Sequence, residues 1–226
     1  MKDMNRLFAM MILLSLAAPA VRAQENASSG SWVYMSAEDF TGDNRRFAGE
    51  YAVALAKGES RYKDSLRLVY AVARIDGNKK SDVSKDAWAV ASGGQLYVNN
   101  SVLNDSKGYS KSFSPGRYNL FFTRVKESGE ARKKYGYDKD DIRFYEKEDS
   151  KSRGSVNVGG IPIGLGSATL MFMPVVIDRN TGEMKAFSSA YREELVSRYP
   201  DVAPPTMNQA RGVPLIEYFR QLNSKQ

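Results

Sequence analysis

The clearest alternation of apolar and polar positions runs from Leu66 to Ile75. Leu66, Leu68, Tyr70 and Val72 fall on one face and Val69, Ala71 and Ala73 on the other, which predicts a strand covered on both sides. Asp76-Gly77 follows as a turn pair. Ala87–Ala91 and Gln95–Asn99 are short β-prone runs joined by Ser92-Gly93-Gly94, the spacing of a hairpin. From Arg117 to Val125, Tyr118, Leu120 and Phe122 alternate with Asn119, Phe121 and Thr123, so a strand should open after Ser114-Pro115-Gly116. A charged loop, Lys126 to Lys134, then leads to a short strand marked by Ile142 and Phe144, with Arg143 and Tyr145 facing away. Val175–Ile177 and Glu183–Phe187 flank Asp178–Gly182 as a second hairpin. Phe47 to Ala56 fits either state: Tyr51, Val53 and Leu55 alternate, yet the alanines also suit a helix.

The period changes near the C-terminus. Tyr191, Leu195 and Tyr199 recur every four residues with Ser188 or Ser189 as cap and Pro200 as stop, an amphipathic helix. Val202 to Thr206, with Pro204-Pro205, must be extended. Pro214 sits where a missing N–H costs little and opens a second helix, with Leu215, Ile216, Phe219 and Leu222 as its buried stripe. Near the start, Ser36 can cap a short helical turn, with Asp39 placed for a reciprocal bond. No internal repeat or domain boundary interrupts residues 32–226. The expected fold is one α+β domain, an antiparallel strand-rich body of hairpins closed by two C-terminal helices.

Residues 1–23 have a different character. Lys2 and Arg6 precede an apolar run from Leu7 to Ala18, Pro19 breaks any helix, and Val21-Arg22-Ala23 fits a signal peptidase. About a dozen apolar residues fall short of the roughly 20 that span a bilayer, so a signal cleaved after Ala23 is expected. Residues 24–31 then read as a small, polar, flexible leader. With no Cys in the chain, a lipid anchor on an N-terminal Cys is excluded. The expected location is periplasmic or secreted and surface-associated, without a lipid anchor.

Composition narrows the chemistry. The chain is 42% hydrophobic and 26% charged, as globular domains are. Its formal charge of +7 falls by two, to +5, when Lys2, Asp3, Arg6 and Arg22 leave with the signal. A basic exported protein suits an anionic glycan, lipid phosphate or acidic protein, and nucleic acid is not expected. The clusters Arg45-Arg46, Lys79-Lys80 and Arg132-Lys133-Lys134 are short, lie near acids and read as solvated loops. Zero Cys and zero His remove disulfides, His- or Cys-ligated zinc, the Ser-His-Asp triad and every His acid–base mechanism. An enzyme built on this chain would need carboxylates, Tyr, Lys or an oxygen-ligated metal.

Ser155 to Ile177 carries no charge. Its length matches a membrane span, but Gly159, Gly160, Gly164, Gly166, Pro162 and Pro174 make a poor straight helix, and buried strands or turns are expected. Those glycines lack both the Lys-Ser/Thr of a P-loop and the third Gly of a dinucleotide fingerprint. Asp138-Lys-Asp140-Asp141 lacks the oxygen and Gly of a calcium loop. Paired carboxylates could hydrolyse a glycan, and Glu38, Asp39, Asp86 and Glu146 are available, but nothing singles out a pair. Trp32, Trp88, Tyr97 and Tyr118 could line a binding face, although aromatics in such strands more often belong to a core. Of these, Trp88, Tyr97 and Tyr118 are the candidate surface-binding residues. No catalytic, cofactor or metal residue is assigned.

Together, Tyr34–Phe40, the hairpin Asp86–Asn99, the glycine-rich uncharged stretch, Val176-Ile-Asp178-Arg-Asn-Thr-Gly182, Tyr199-Pro200 and Tyr218-Phe-Arg-Gln-Leu222-Asn223 resemble a group of uncharacterised exported proteins (domains of unknown function) of Bacteroidota. Gln24, directly after the signal's Ala, is usual there. The resemblance implies an envelope location and carries no active site. The leading expectation is a non-catalytic binding or structural module of the cell envelope, meeting a protein, glycan or lipid. The alternatives are a carboxylate-dependent hydrolase acting on a glycan and membrane association through residues 155–177.

Overall fold

The computed structural model describes residues 30–57, 66, 68–83, 85–104, 106–148, 156–158, 161–163 and 170–225. The expected export signal, most of the leader and the four glycines of the uncharged stretch lie outside the described residues.

Two sheets and a helical layer stack in sequence. In the first sheet, β1 (Ser31–Tyr34), β2 (Arg46–Leu55), β3 (Val69–Asp76), β5 (Ala89–Ser92), β6 (Gln95–Asn99) and β7 (Tyr109–Lys111) pair antiparallel in the order β2-β1-β5-β6-β7-β3. β3 then pairs with β2 and closes a six-stranded barrel. β4 (Lys79–Asp82) extends β3 beside β7. Two short helices adjoin this sheet, α1 (Ala37–Thr41) after β1 and α2 (Asn100–Asn104) after β6.

The second sheet centres on β12 (Leu170–Asp178), which pairs along its whole length with β8 (Tyr118–Lys126). On its other edge β12 takes β9 (Glu146–Glu148) and β13 (Met184–Ala186). Between β8 and β9 lie α3 (Gly129–Tyr135) and a 3-10 turn at Lys139–Phe144. β10 (Val156–Val158) and β11 (Ile161–Ile163) pair with each other. α4 (Ser189–Arg198) and α5 (Val213–Ser224) complete the chain. The α+β class and the closing helices agree with the sequence reading.

Alternation within each strand decides which core it feeds. Val33, Tyr51, Val72, Val90, Tyr97 and Tyr109 fill the barrel. Their neighbours Tyr34, Ala89, Leu96 and Val98 point out and meet Phe121, Val125, Met171, Met173, Val175 and Ile177 of the second sheet. The opposite face of that sheet, Tyr118, Leu120, Phe122, Phe172 and Val176, meets Tyr191 and Leu195 of α4 and Leu215, Ile216, Phe219 and Leu222 of α5. Each large side chain so buried stabilises the fold by about 1.5–3 kcal/mol. β12, which takes in the last third of the uncharged stretch, is a buried central strand. No described helix is long and apolar enough to cross a membrane.

Three expectations are corrected. The charged loop at Lys126–Lys134 contains α3: Ser128 Oγ accepts from Ala131 N–H, Gly136 closes the helix in the left-handed region, and Ala131 and Tyr135 are buried four apart. The strand expected at Ile142 and Phe144 is the 3-10 turn, because Asp138 and Asp141 cap it reciprocally, and β9 begins only at Glu146. β3 is not covered on both sides. Val72 faces the barrel core, whereas Ala71 on the opposite face is exposed and Ala73 only half-buried.

Side-chain bonds tie the layers. Asp141, 3% exposed, accepts from Ser189 N–H at 2.9 Å, Ser189 Oγ at 2.7 Å and Asp138 N–H at 3.0 Å, joining the 3-10 turn to the start of α4. Asn223 near the end of α5 holds the turn that opens β8. Its Oδ1 accepts from Tyr118 N–H at 2.8 Å, and its Nδ2 donates to the carbonyls of Ser114, Pro115 and Tyr118. Arg117 grips Asp178 through both Nε and Nη2, joining the two strands at the Tyr118–Asp178 end of the β8–β12 ladder.

Candidate functional site: an alanine-lined groove

β2 and β3 share one sequence habit. Tyr51-Ala-Val-Ala-Leu-Ala56 and Tyr70-Ala-Val-Ala73 place larger residues on one parity and alanine on the other. Antiparallel register sets Ala52 opposite Ala73 and Ala54 opposite Ala71, so the alanines gather on the outside of the barrel. There they floor an open groove of about 510 Å³, whose lining also includes Ala56, Tyr70, Lys80, Asp82, Lys107 and Tyr109.

The groove's end depends on a glycine. Gly108 has φ +90°, and a Cβ there would lie 2.5 Å from Val69 Cγ1 and 2.9 Å from the Tyr70 carbonyl oxygen. Only glycine lets the chain enter β7 this close to β3. Lys80 on β4 and Lys107 before β7 are exposed, and neither side chain has a hydrogen-bond or ion-pair partner among the described residues. Asp82 does have a partner. Tyr109 is fully buried and its hydroxyl has no hydrogen-bond partner. Burial, reinforced by the charges of Asp82 and Asp86, pushes this phenol well above its ordinary range, so it stays protonated, a donor.

The sequence-nominated aromatics lie elsewhere and apart. Trp88, 9% exposed, packs between the barrel and the second sheet beside Phe40. Tyr97, 4% exposed, is inside the barrel. Tyr118 is fully buried under α5, its hydroxyl bonded to Tyr199 and Arg198. The three belong to three cores and share no exposed face: alternation turns Tyr97 into the barrel and Tyr118 towards the helices, while Trp88 precedes β5 and lies in the same core as Ala89. Trp32 is half-buried, with the Arg45 guanidinium 4.0 Å from its ring centre.

The acids are spent on structure or scattered. Asp39 accepts from Met35 N–H and Arg46 Nη2. Glu38, also on α1, is held below the usual carboxylate range chiefly by a hydrogen bond from Ser36. Asp86 lies in the turn before β5 and Glu146 at the start of β9. Among the described residues no group of three or more His, Cys, Asp or Glu could hold a metal. A second depression of about 580 Å³ is lined by Arg132, Lys133, Tyr137, Asp138, Lys139 and Asp140. There Arg132 is paired with Glu127 and Asp138 caps the 3-10 turn, leaving a shallow surface of mixed charge without an apolar floor.

The alanine groove had a signal in the sequence, the alternation of alanine with larger residues in both segments. What the sequence lacked was the pairing of the two segments and the openness of that side. Comparison with protein-family models, curated proteins and solved structures finds no match for this chain.

Proposed function

We propose that this chain is an exported protein of the cell envelope that acts by binding, through the outer face of β2 and β3, and not by turning over a substrate. The observation that carries the reading is the groove itself. Its volume of about 510 Å³ falls within the roughly 300–1,000 Å³ of small-molecule sites, and a mostly apolar lining with a few polar groups is what such sites show. The order of charged, apolar and small residues over 1–23 supports export.

Two measurements test it. Sequencing the N-terminus of protein recovered outside the cytoplasm should start at Gln24; a retained Met1 there would overturn the cleaved signal. Binding is then measured against soluble envelope glycans, lipid vesicles and envelope proteins, with Ala71→Glu as control. Loss of a binding partner in that variant, with an unchanged circular dichroism spectrum, is the expected result. Binding indifferent to Ala71→Glu, or hydrolysis of a glycan in the panel, would overturn the reading.

A further inference from the structure

We infer that the groove on β2 and β3 takes a single-chain amphiphile, its apolar chain lying along the alanine floor and its anionic head held by Lys80 and Lys107. The inference rests on the binding reading above and names the ligand class. Five outward positions, Ala52, Ala54, Ala56, Ala71 and Ala73, all carry methyl side chains. A longer side chain at any of them would fill the space that a ligand chain needs. The floor therefore offers apolar surface without a specific polar address, which suits a hydrocarbon.

The rim supplies the charge. Lys80 and Lys107 are exposed and unpaired among the described residues, while Asp82 between them is already engaged. Two uncompensated ammonium groups beside an apolar trough complement a phosphate or carboxylate head at the end of a chain. A second copy of this chain fits less well, since two facing alanine floors would leave the lysines of each rim with only one engaged acid to meet.

The test is calorimetric titration of the purified protein with dodecyl phosphate, dodecyl maltoside and inorganic phosphate, with light scattering to follow oligomeric state. Saturable one-to-one binding of dodecyl phosphate is expected, at least tenfold tighter than the maltoside, with no binding of phosphate alone. Lys80→Glu combined with Lys107→Glu should weaken dodecyl phosphate at least tenfold and leave the maltoside unchanged. Ala54→Leu combined with Ala71→Leu, at positions open to solvent, should abolish both while the circular dichroism spectrum is retained. Equal affinity in the parent and the leucine variant would overturn the site. Phosphate binding alone would overturn the role of the chain. Dimerisation lost in the leucine variant, without amphiphile binding, would replace the ligand with a second copy. If dodecyl phosphate fails to bind while a glycan or protein still depends on Ala71, this inference falls and the binding reading survives. If nothing depends on Ala71, both fall.

Discussion

Replacing Asn223 with alanine removes a side chain that holds one turn at four points. Oδ1 accepts from Tyr118 N–H at 2.8 Å, and Nδ2 reaches the carbonyls of Ser114, Pro115 and Tyr118 at 3.3, 3.2 and 3.1 Å. Tyr118 is fully buried, so its N–H is left without an acceptor, costing about 1–3 kcal/mol. The three carbonyls share two N–H groups and Pro115 stays open to water, so their loss adds about 0.5–1 kcal/mol. A total of about 1.5–4 kcal/mol should lower Tm by about 3–16 °C in a domain of this size. Urea unfolding followed by circular dichroism should show a reduced midpoint with an unchanged slope. Gly116→Ala supplies the internal control. Gly116 has φ +144°, and a Cβ there would lie 2.6 Å from Asn223 Cγ. In the Asn223→Ala background the contacts with Cγ and Nδ2 vanish, leaving the backbone strain and the residue-223 Cβ at 2.9 Å, so the glycine substitution should cost about 1 kcal/mol less there. An Asn223→Ala effect below about 0.5 kcal/mol, or an identical Gly116→Ala cost in both backgrounds, would refute the assignment.

Asp141→Ala removes three hydrogen bonds at a 3%-exposed carboxylate and should cost about 3 kcal/mol, with Asp141→Asn milder because an amide oxygen still accepts; a thermal-melt change below about 1 kcal/mol would show that α4 is anchored by other contacts. Alkali should unfold the protein by titrating its phenols. Burial pushes Tyr118 and Tyr137 up to about 12, whereas unfolded phenols ionise near 10. The folded state therefore binds more protons over that interval: stability is level below pH 10, falls between pH 10 and 12, and this contribution is gone above about pH 12. Denaturant midpoints measured alongside tyrosinate absorbance check it, and a midpoint flat to pH 12 would refute it. Phe47 is 57% exposed yet held at φ +45° in β2, a left-handed conformation costing about 1–2 kcal/mol. Phe47→Gly relieves this and loses about 0.5–1 kcal/mol to chain entropy, so urea unfolding should show a neutral to slightly stabilising change, and a loss beyond about 1 kcal/mol would mean that the ring packs.

Local signals carried some elements and not others, for identifiable reasons. α5 was legible because Pro214 marks its start and its buried residues repeat on one face. The hairpin of β5 and β6 was legible because Gly93 and Gly94 both take positive φ in its two-residue turn. α3 also had its marks, a Ser128 cap, a Gly136 terminator and Ala131–Tyr135 spacing, but Arg132-Lys133-Lys134 made the segment read as solvated loop. A 3-10 turn of six residues shows too little periodicity to separate Ile142 and Phe144 from strand alternation. Barrel closure was illegible, since β1 with β5 and β3 with β7 meet across long stretches of chain with no local cue. For Tyr97 and Tyr118, alternation fixed the side of the strand, whereas burial depended on what the other layers covered; Trp88 precedes β5 and shares a core with Ala89, against the alternation.

The same logic explains why the β2–β3 face invites a functional reading. A barrel has an outside all round, and the second sheet covers only the side formed by β1, β5 and β6. On the uncovered side, outward positions that served only to keep a strand in water would favour threonine, with its β propensity, or charges that blunt association. Alanine does neither: it is depleted in strands and adds little to solubility. Five alanines converge there from two strands through a specific register, while Glu50 and Arg46 occupy outward positions further along β2. Strand stability does not account for that choice. A surface that must stay smooth, apolar and shallow enough to admit something else does.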